Sequence, residues 1–525
     1  MNAVDTSVKG RDGGSRRARP EARRGKPGGD EDGRIVVVSN RVGPASSLKS
    51  TPGGLAIAMR AALGDRPAMW FGWSGSVSDD PARSPQISAD GNITRALIDL
   101  PRADFERYYA GFANRALWPL FHYRMGIVDY SPEDYAGYKR INEEFARHMM
   151  PLLRPDDVIW VHDYQLIPLG AALRAAGARQ RIGFFLHTPF PGPDVLSMLP
   201  VHDEVIRYLA DYDLVGFQTA TDATAFADYI VRVAHGKVGS DGRAQAFGRR
   251  FLIGHFPIGI DVETTATRAR SALSSARGRR LRDSLAGRKM VIGVDRLDYT
   301  KGLIQRFKAI EILLEEHPEH RRGAVVLQIA TPTRGEVPEY KRVRAELNEL
   351  IGHINGRYAD PDILPIRYLN KQFGQYILFG FFRISAVGLI TPLRDGMNLV
   401  AKEYVASQSP DDPGVLVLSC FAGAAQQMDA AVIVNPFDPP GIAAALHRAL
   451  TMPIEERRER HGTLLQVLRD SDLTVWRDSF LHALVSTKPV RRPSPIAIVT
   501  ERPKPGEPPA PAEERTKTDP ETKAD

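Results

Sequence analysis

The apolar positions of this chain gather into short runs: Ile35–Val38, Val158–Val161, Ile182–Leu186, Leu214–Phe217, Met290–Val294, Val325–Ile329, Val387–Ile390, Val415–Leu418 and Val432–Val434. Many are β-branched and apolar on both faces, the pattern of strands buried in a parallel sheet. Stretches with helical spacing separate most of them. That alternation predicts βαβ units and an α/β fold with doubly wound sheets. So many strands exceed what one open sheet comfortably holds, so two sheets are expected, divided near Phe256-Pro257-Ile258-Gly259-Ile260-Asp261. The expected units are residues 34–255 and 256–470. A last helix over 471–487 opens at Ser471 or Asp472 as N-cap and carries Leu473, Trp476, Phe480 and Leu484 at helical spacing. That stripe is expected to pack back on the first unit.

The two ends break the pattern. Residues 1–33 mix charge with Gly and Pro, and residues 488–525 are dense in Pro, Glu, Lys and Thr. Neither composition can bury enough apolar surface to offset ordering entropy, so both are expected to be disordered tails.

Polar motifs sit where the apolar runs stop. Ser39-Asn40-Arg41 follows the first run, His162-Asp163-Tyr164 the second and His187-Thr188-Pro189-Phe190-Pro191 the third. Asp295-Arg296, Thr331–Arg334 and Arg394-Asp395-Gly396 follow three later ones. Open α/β sheets bind ligands beyond the carboxyl ends of their strands, so six such motifs predict a cleft between two sheets.

Two of these loops carry the most chemistry. Val294-Asp295-Arg296-Leu297-Asp298-Tyr299-Thr300-Lys301-Gly302 supplies two cations, Arg296 and Lys301, suited to a diphosphate whose negative charge grows as its bond to sugar breaks. A surface Arg296 paired with Asp298 is the plainer alternative. Thr391-Pro392-Leu393-Arg394-Asp395-Gly396-Met397-Asn398-Leu399-Val400-Ala401-Lys402-Glu403 supplies a Gly-turn, a helix start for phosphate, and two carboxylates, Asp395 and Glu403, for sugar or ribose hydroxyls. Its plainer alternative is a helix end capped by Asp395. Together the two loops offer what a sugar nucleotide requires.

Other candidates are weaker alone. Pro52-Gly53-Gly54-Leu55 opens a helical pattern over Ala56–Leu63 and admits backbone contact with a ligand, or is a plain turn. It fits neither the dinucleotide nor the Walker fingerprint. Arg41 and Arg334 with the Tyr109 phenol suit a phosphate monoester, and Trp118 a sugar ring, although aromatics here and at Trp70 and Trp73 are as often core. His162, Asp163 and His187 suit acid/base work, hydroxyl binding or, less well, a metal, there being no H-E-x-x-H.

Composition narrows the picture. With 525 residues, 43% of them hydrophobic, the chain can bury large cores. The net charge of +7 is spread along the sequence. It fits an enzyme of anionic metabolites, or a generally basic surface, better than a nucleic-acid binder. Cys420 is the single cysteine, which removes intramolecular disulfides and cysteine metal sites and suits a reducing cytoplasm. The first residues lack a signal-peptide apolar core, and no apolar run approaches the ~18–20 residues that span a bilayer, so no membrane association is expected.

Taken together, the strings Val38–Arg41, Trp70–Gly75, Trp118–Arg124, Trp160–Tyr164, Arg296–Gly302 and Leu393–Glu403 resemble the trehalose-6-phosphate synthases, in order and over most of 34–487. The resemblance implies the GT-B fold, two facing Rossmann-like domains, and a retaining transfer of glucose from UDP-glucose to glucose 6-phosphate without metal or cofactor. By position it implies that Arg41, Trp73, Tyr109, Asp163 and Arg334 hold the acceptor. Gly53, Gly54, Arg296, Lys301, Phe373, Asp395, Gly396, Met397, Asn398, Leu399, Val400 and Glu403 would hold the donor. His187 and Trp118 would control the product anomer. It further implies a cytoplasmic homo-oligomer whose product goes to a separate trehalose-6-phosphate phosphatase. Thr188 stands where Ile is frequent, and Asp295 where Glu is also common. Rival readings are the same fold with glycerol 3-phosphate as acceptor, a GDP or ADP donor, or an inactive sugar-phosphate sensor.

Overall fold

The computed structural model describes residues 33–42, 59–60, 63–64, 66–82, 84–333 and 337–487. Two sheets organise them. The first has ten strands: β1 (Ile35–Arg41), β2 (Ala68–Ser78), β3 (Gln86–Asp90), β4 (Ile93–Pro101), β5 (Val158–His162), β6 (Arg181–Phe185), β7 (Leu214–Phe217), β8 (Lys237–Val238), β9 (Arg243–Ala246) and β10 (Arg249–His255). Their order is β3-β4-β2-β1-β5-β6-β7-β10-β9-β8. The second has six: β11 (Lys289–Arg296), β12 (Ala324–Thr331), β13 (Ile366–Leu369), β14 (Val387–Ile390), β15 (Val415–Ser419) and β16 (Val432–Val434), ordered β13-β12-β11-β14-β15-β16. Every pairing in the second sheet is parallel. Antiparallel pairs occur only toward the edges of the first, at β3–β4 and through β8–β9–β10.

Each expected run lies in a strand. The chain also forms β2, β3, β4, β8, β9, β10 and β13, which the apolar-run pattern does not mark. The central strands are apolar on both faces because both faces are covered. Val36 and Val38 of β1 join one core with Ile159, Val161, Ile182 and Phe184. Ile35 and Val37 join another with Trp160, Phe185 and Leu214.

That second core runs on into the second sheet's Ile292 and Leu327 and into the final helix, Leu473–Ser486. Asp472 caps this helix by accepting from the Thr474 and Val475 N–H groups. Leu473, Trp476, Phe480 and Leu484 are all buried. Phe480 stacks on Trp160 of β5 at 4.8 Å, and a Cβ on Gly183 of β6 would meet Phe480 and Leu484 at 2.9 Å. Gly183 is therefore the seat of the helix on the first sheet. Four large side chains buried in this way contribute about 1.5–3 kcal/mol each.

Candidate active site

The carboxyl ends of β1, β5, β6 and β7 face those of β11 and β14 across one cleft, and the two lips touch. A Cβ on Gly396 would meet the His187 carbonyl oxygen at 1.9 Å, so only glycine fits there. The Arg296 guanidinium lies over the Trp118 ring at 5.1 Å, and the Arg394 guanidinium over the Tyr123 ring at 3.9 Å. Gln426 Nε2 donates to Thr221 Oγ1 at 2.9 Å.

The second-sheet lip is a charged network on a rigid base. Under it Arg306, fully buried, pairs with Asp295 and donates to Thr391 Oγ1 at 3.0 Å and to Gln328 Oε1 at 2.8 Å. Asp295 is thus the foundation of the cation loop, and removing one member of such a buried pair costs about 3–5 kcal/mol. Gly302 turns the loop with φ +65°, where a Cβ would also meet the Thr391 carbonyl at 2.3 Å. Lys301 Nζ reaches Asp395 Oδ2 at 2.5 Å, and Asn398 Nδ2 donates to the same oxygen at 3.0 Å. Burial opposes charge on Asp395, but Lys301, the field of His122 and the Asn398 amide together hold its carboxyl below the ordinary range.

Arg296 is different. Its closest carboxylate, on Asp298, is 3.9 Å away. The Asp298 oxygens already accept from the Thr300 N–H and hydroxyl at 3.0 Å and from the Tyr340 hydroxyl at 3.1 Å. The Arg296 side chain is 43% exposed, which leaves it able to meet an anion in the cleft. The Arg296–Asp298 pair of the plainer alternative exists only at that long distance.

The helix Leu399–Ser407 starts at the same place. Asn398 caps it with φ +77°, accepting from the Ala401 N–H at 3.1 Å. The Leu399 and Val400 N–H groups at this end have no intrahelical acceptor and suit a phosphate. Met397 is buried, its carbonyl taken by the Ala424 N–H. One turn on, Glu403 accepts from Gln375 Nε2 at 2.9 Å. Burial pushes its carboxyl up to about 7 against that hydrogen bond. Half-buried Phe373 sits two residues before Gln375, against Phe381 at 5.6 Å.

The first-sheet lip is aromatic, with Arg41, Asp163 and a set of buried histidines among the rings. An irregular helix, Glu106–Leu117, breaks at Gly111, where a Cβ would meet the Asp134 carboxylate at 2.4 Å. This break sets Tyr109 beside Trp73, with ring centres 6.2 Å apart. Arg41 lies over the Trp73 ring at 5.5 Å, so Arg41, Trp73 and Tyr109 form one group. Asp163 holds φ +77° and ψ 163°, a region that costs a non-glycine residue about 1–3 kcal/mol. It is kept there by its N–H to Phe185 O at 2.8 Å and by accepting the His187 N–H at 3.2 Å. Trp118 lies against His122, ring centres 4.1 Å apart.

The histidines are neutral. Desolvation by burial carries His187 down to about 3 and His122 to about 4. Ile258 N–H donates to Gln218 Oε1, which turns Gln218 Nε2 toward His187 Nδ1 at 3.2 Å. His187 then donates from Nε2 to His162 Nδ1 at 3.0 Å. At the carbonyl of the same residue, Lys402 Nζ donates to Ile258 O at 2.8 Å. Lys402 is fully buried, and desolvation lowers it to about 7. The linker residue Ile258 is thereby held from both lips.

The structure brings together Arg41, Trp73, Tyr109, Trp118, Asp163 and His187 on one lip and Arg296, Lys301 and Asp395 through Glu403 on the other. Gly53, Gly54 and Arg334 lie outside the described residues, as does most of Ala56–Leu63. Reading the sequence missed His122, Gln218, Gln375 and Lys402. Lys402 alone left a signal, as a lysine in the otherwise apolar stretch Leu399–Ala406 interrupted only by Glu403 and Tyr404.

Two doubly wound sheets facing across a cleft, with cations and an open helix start on one side, have the GT-B arrangement. The particular family follows from comparison with known proteins: residues 34–486 match Glycosyltransferase family 20, and the chain belongs to it. It is 48% identical over 458 residues to the trehalose-6-phosphate synthase of Sinorhizobium fredii, covering 86% of this chain and 98% of that protein. The glucose-6-phosphate complex of an α,α-trehalose-phosphate synthase (UDP-forming) from Burkholderia xenovorans superposes with TM-score 0.84 at 48% identity, over 86% of this chain and 100% of that one. The Escherichia coli protein bound with UDP-2-fluoro glucose superposes with TM-score 0.82 at 43% identity, over 86% and 99%.

Proposed function

We propose that this chain transfers glucose from UDP-glucose to the anomeric hydroxyl of glucose 6-phosphate with retention, giving α,α-trehalose 6-phosphate and UDP. The observation that carries this reading is the second-sheet lip: Arg296 and Lys301 beside a helix start whose Leu399 and Val400 N–H groups suit a diphosphate. Family membership and relatives bound to glucose 6-phosphate and to a UDP-glucose analogue support it.

In this reading the bond from the donor anomeric carbon to phosphate breaks, and the acceptor oxygen bonds to that carbon on the same face. The acceptor proton passes to the leaving phosphate oxygen. Arg296 and Lys301 stabilise the charge that builds on the diphosphate, work that fixed cations perform without a metal. Asp395 orients Lys301 and accepts from glucose hydroxyls, and Glu403 accepts from the ribose. Phe373 contacts the base. Gly53 and Gly54 let backbone approach the donor, and Gly396 lets the His187 carbonyl do so. Arg41 and Arg334 bind the acceptor phosphate, with Tyr109, Trp73 and Asp163 around the sugar. A neutral His187 is a hydrogen-bonding group, not an acid, and with Trp118 it fixes the acceptor's approach. The chain is further read as a cytoplasmic homo-oligomer whose product passes to a separate phosphatase.

The test is UDP release by purified protein from UDP-glucose, with and without glucose 6-phosphate, in EDTA. Release that requires glucose 6-phosphate and survives EDTA is expected. Release with glycerol 3-phosphate instead, or none from UDP-, GDP- or ADP-glucose, contradicts the reading.

A further inference from the structure

Metal-ligand chemistry lies on the far side of the second sheet. The helix Leu303–Glu316 begins directly after the Lys301-Gly302 loop and ends at His317. His317-Pro318-Glu319-His320 then turns the chain into a short helix, Glu319–Gly323, and the helix Pro439–Thr451 brings His447 against that corner. The His317 and His447 rings lie parallel, centres 3.7 Å apart and planes 11° apart. Their Nδ1 atoms face one oxygen, Glu319 Oε1, at 3.5 and 3.8 Å. The ligand atoms of these three residues all lie within 4.8 Å of one another, the only such group of three or more His, Cys, Asp or Glu among the described residues. All thirteen histidines are among those residues, so no histidine elsewhere competes unseen.

We propose that His317, Glu319 and His447 form a binding site for a zinc-class divalent transition metal ion. At 3.5 and 3.8 Å the imidazoles are too far from Glu319 to hydrogen-bond it well. Those separations are close to the distance between ligands of one tetrahedral ion, about 3.3 Å for metal–ligand bonds of 2.0–2.1 Å. Two imidazole nitrogens with one carboxylate oxygen select zinc-like ions over magnesium or calcium, which take oxygen ligands. An imidazole lone pair lies in the plane of its ring, so with planes 11° apart one of the two part-exposed rings turns for both nitrogens to meet the same ion. The carbonyl end of the Leu303–Glu316 helix adds a favourable field for a cation. The side chains are 29%, 34% and 59% exposed for His317, His447 and Glu319, so an ion can enter from solvent. His447 Nδ1 shares a hydrogen bond with buried His320 Nε2 at 3.1 Å, which an ion on this nitrogen would replace. A bound ion would tie the corner after the Leu303–Glu316 helix to the Pro439–Thr451 helix, away from the cleft and apart from its chemistry.

The experiment uses the full chain stripped with EDTA. Zn²⁺ is titrated by calorimetry, Co²⁺ is followed by its visible absorption, and Tm is recorded with and without Zn²⁺. One ion per chain is expected, with a higher Tm in Zn²⁺. His317→Ala and His447→Ala should each weaken binding at least about tenfold and lose the Tm gain, with circular dichroism unchanged. His353→Ala, at an exposed His–Glu pair elsewhere, and Cys420→Ser should bind as the parent does. Failure to bind, binding that survives both His317→Ala and His447→Ala, or binding abolished by Cys420→Ser would overturn the proposal.

Discussion

The two lips of the cleft solve opposite problems. The second-sheet lip keeps charge: Lys301 on Asp395, Arg296 free toward the cleft, and a buried Arg306–Asp295 pair beneath. The first-sheet lip carries Arg41 but keeps its histidines uncharged: His122, His162 and His187 are all driven neutral by burial, and aromatic rings lie against them. A leaving diphosphate needs fixed positive charge that does not depend on pH. A sugar acceptor needs shape and hydrogen bonds, and a histidine proton near it would add an unwanted acid. The contrast teaches that charge in this cleft is placed by backbone-anchored loops and is absent where its titration would interfere.

The largest effect should come from the charged lip. Arg296→Met is expected to lower kcat about 10²–10³-fold. Its half-exposed side chain predicts an unchanged melting temperature, so steady-state turnover beside a thermal melt separates catalysis from folding. A smaller activity loss would shift the diphosphate's stabilisation to Lys301 and the helix start.

Glu403 sharpens the comparison, because it is a carboxyl on the charged lip that titrates near neutrality, beside Lys402, whose ammonium does so too. In the proposed function ribose hydroxyls donate to its ionised form, so donor binding would pull its proton off. UDP-glucose affinity should therefore rise as pH increases through about 7, roughly tenfold between about pH 6 and 8 by linkage. Glu403→Gln should flatten that profile in calorimetry. The stability sign runs the other way. The carboxyl is raised above its unfolded value, so its contribution to stability is full below the ordinary carboxylate range and lost as pH rises through about 7. The variant should consequently gain stability at pH above about 7 relative to the parent.

The smallest effect probes the first-sheet lip. Asp163→Ala keeps the strained φ and loses the bond to the His187 N–H, whereas Asp163→Gly loses only the bond. The glycine variant should be more stable than the alanine variant by about 1 kcal/mol, strain relief less the entropy of glycine. Urea denaturation of the pair reads this difference. Equal stabilities would mean that the backbone at Asp163 relaxes.

The same contrast decides what the sequence reveals. The charged lip is legible because its groups come in two contiguous loops, Arg296 to Lys301 and Asp395 to Glu403, each after an apolar strand. The first-sheet lip is assembled from Arg41, Tyr109, Trp118, Asp163 and His187, segments whose meeting depends on sheet order; residue chemistry suggested partial groups, and the resemblance joined them. His122 and Gln218 carry no local mark at all, since their roles come from neighbours distant in the chain. Strands divide likewise. Central strands covered on both faces show as apolar runs. β4 hides because Arg95, Asp99 and Thr94 alternate with its apolar residues, and Arg95 is buried on Asp90. β10 hides behind Arg249-Arg250, and β13 has only four residues, one of them Arg367.

The central claim, that Arg41 on the first-sheet lip serves the acceptor and the charged loops of the second serve the donor, is tested most directly by the kinetics of Arg41→Ala with each substrate varied in turn. Arg41 stands on the first-sheet lip against Trp73. The account predicts that KM for glucose 6-phosphate rises at least about tenfold, the loss of a charged hydrogen bond of about 1.5–3 kcal/mol, with KM for UDP-glucose unchanged. A rise in KM for UDP-glucose instead, or no change in either, would contradict the division of the cleft.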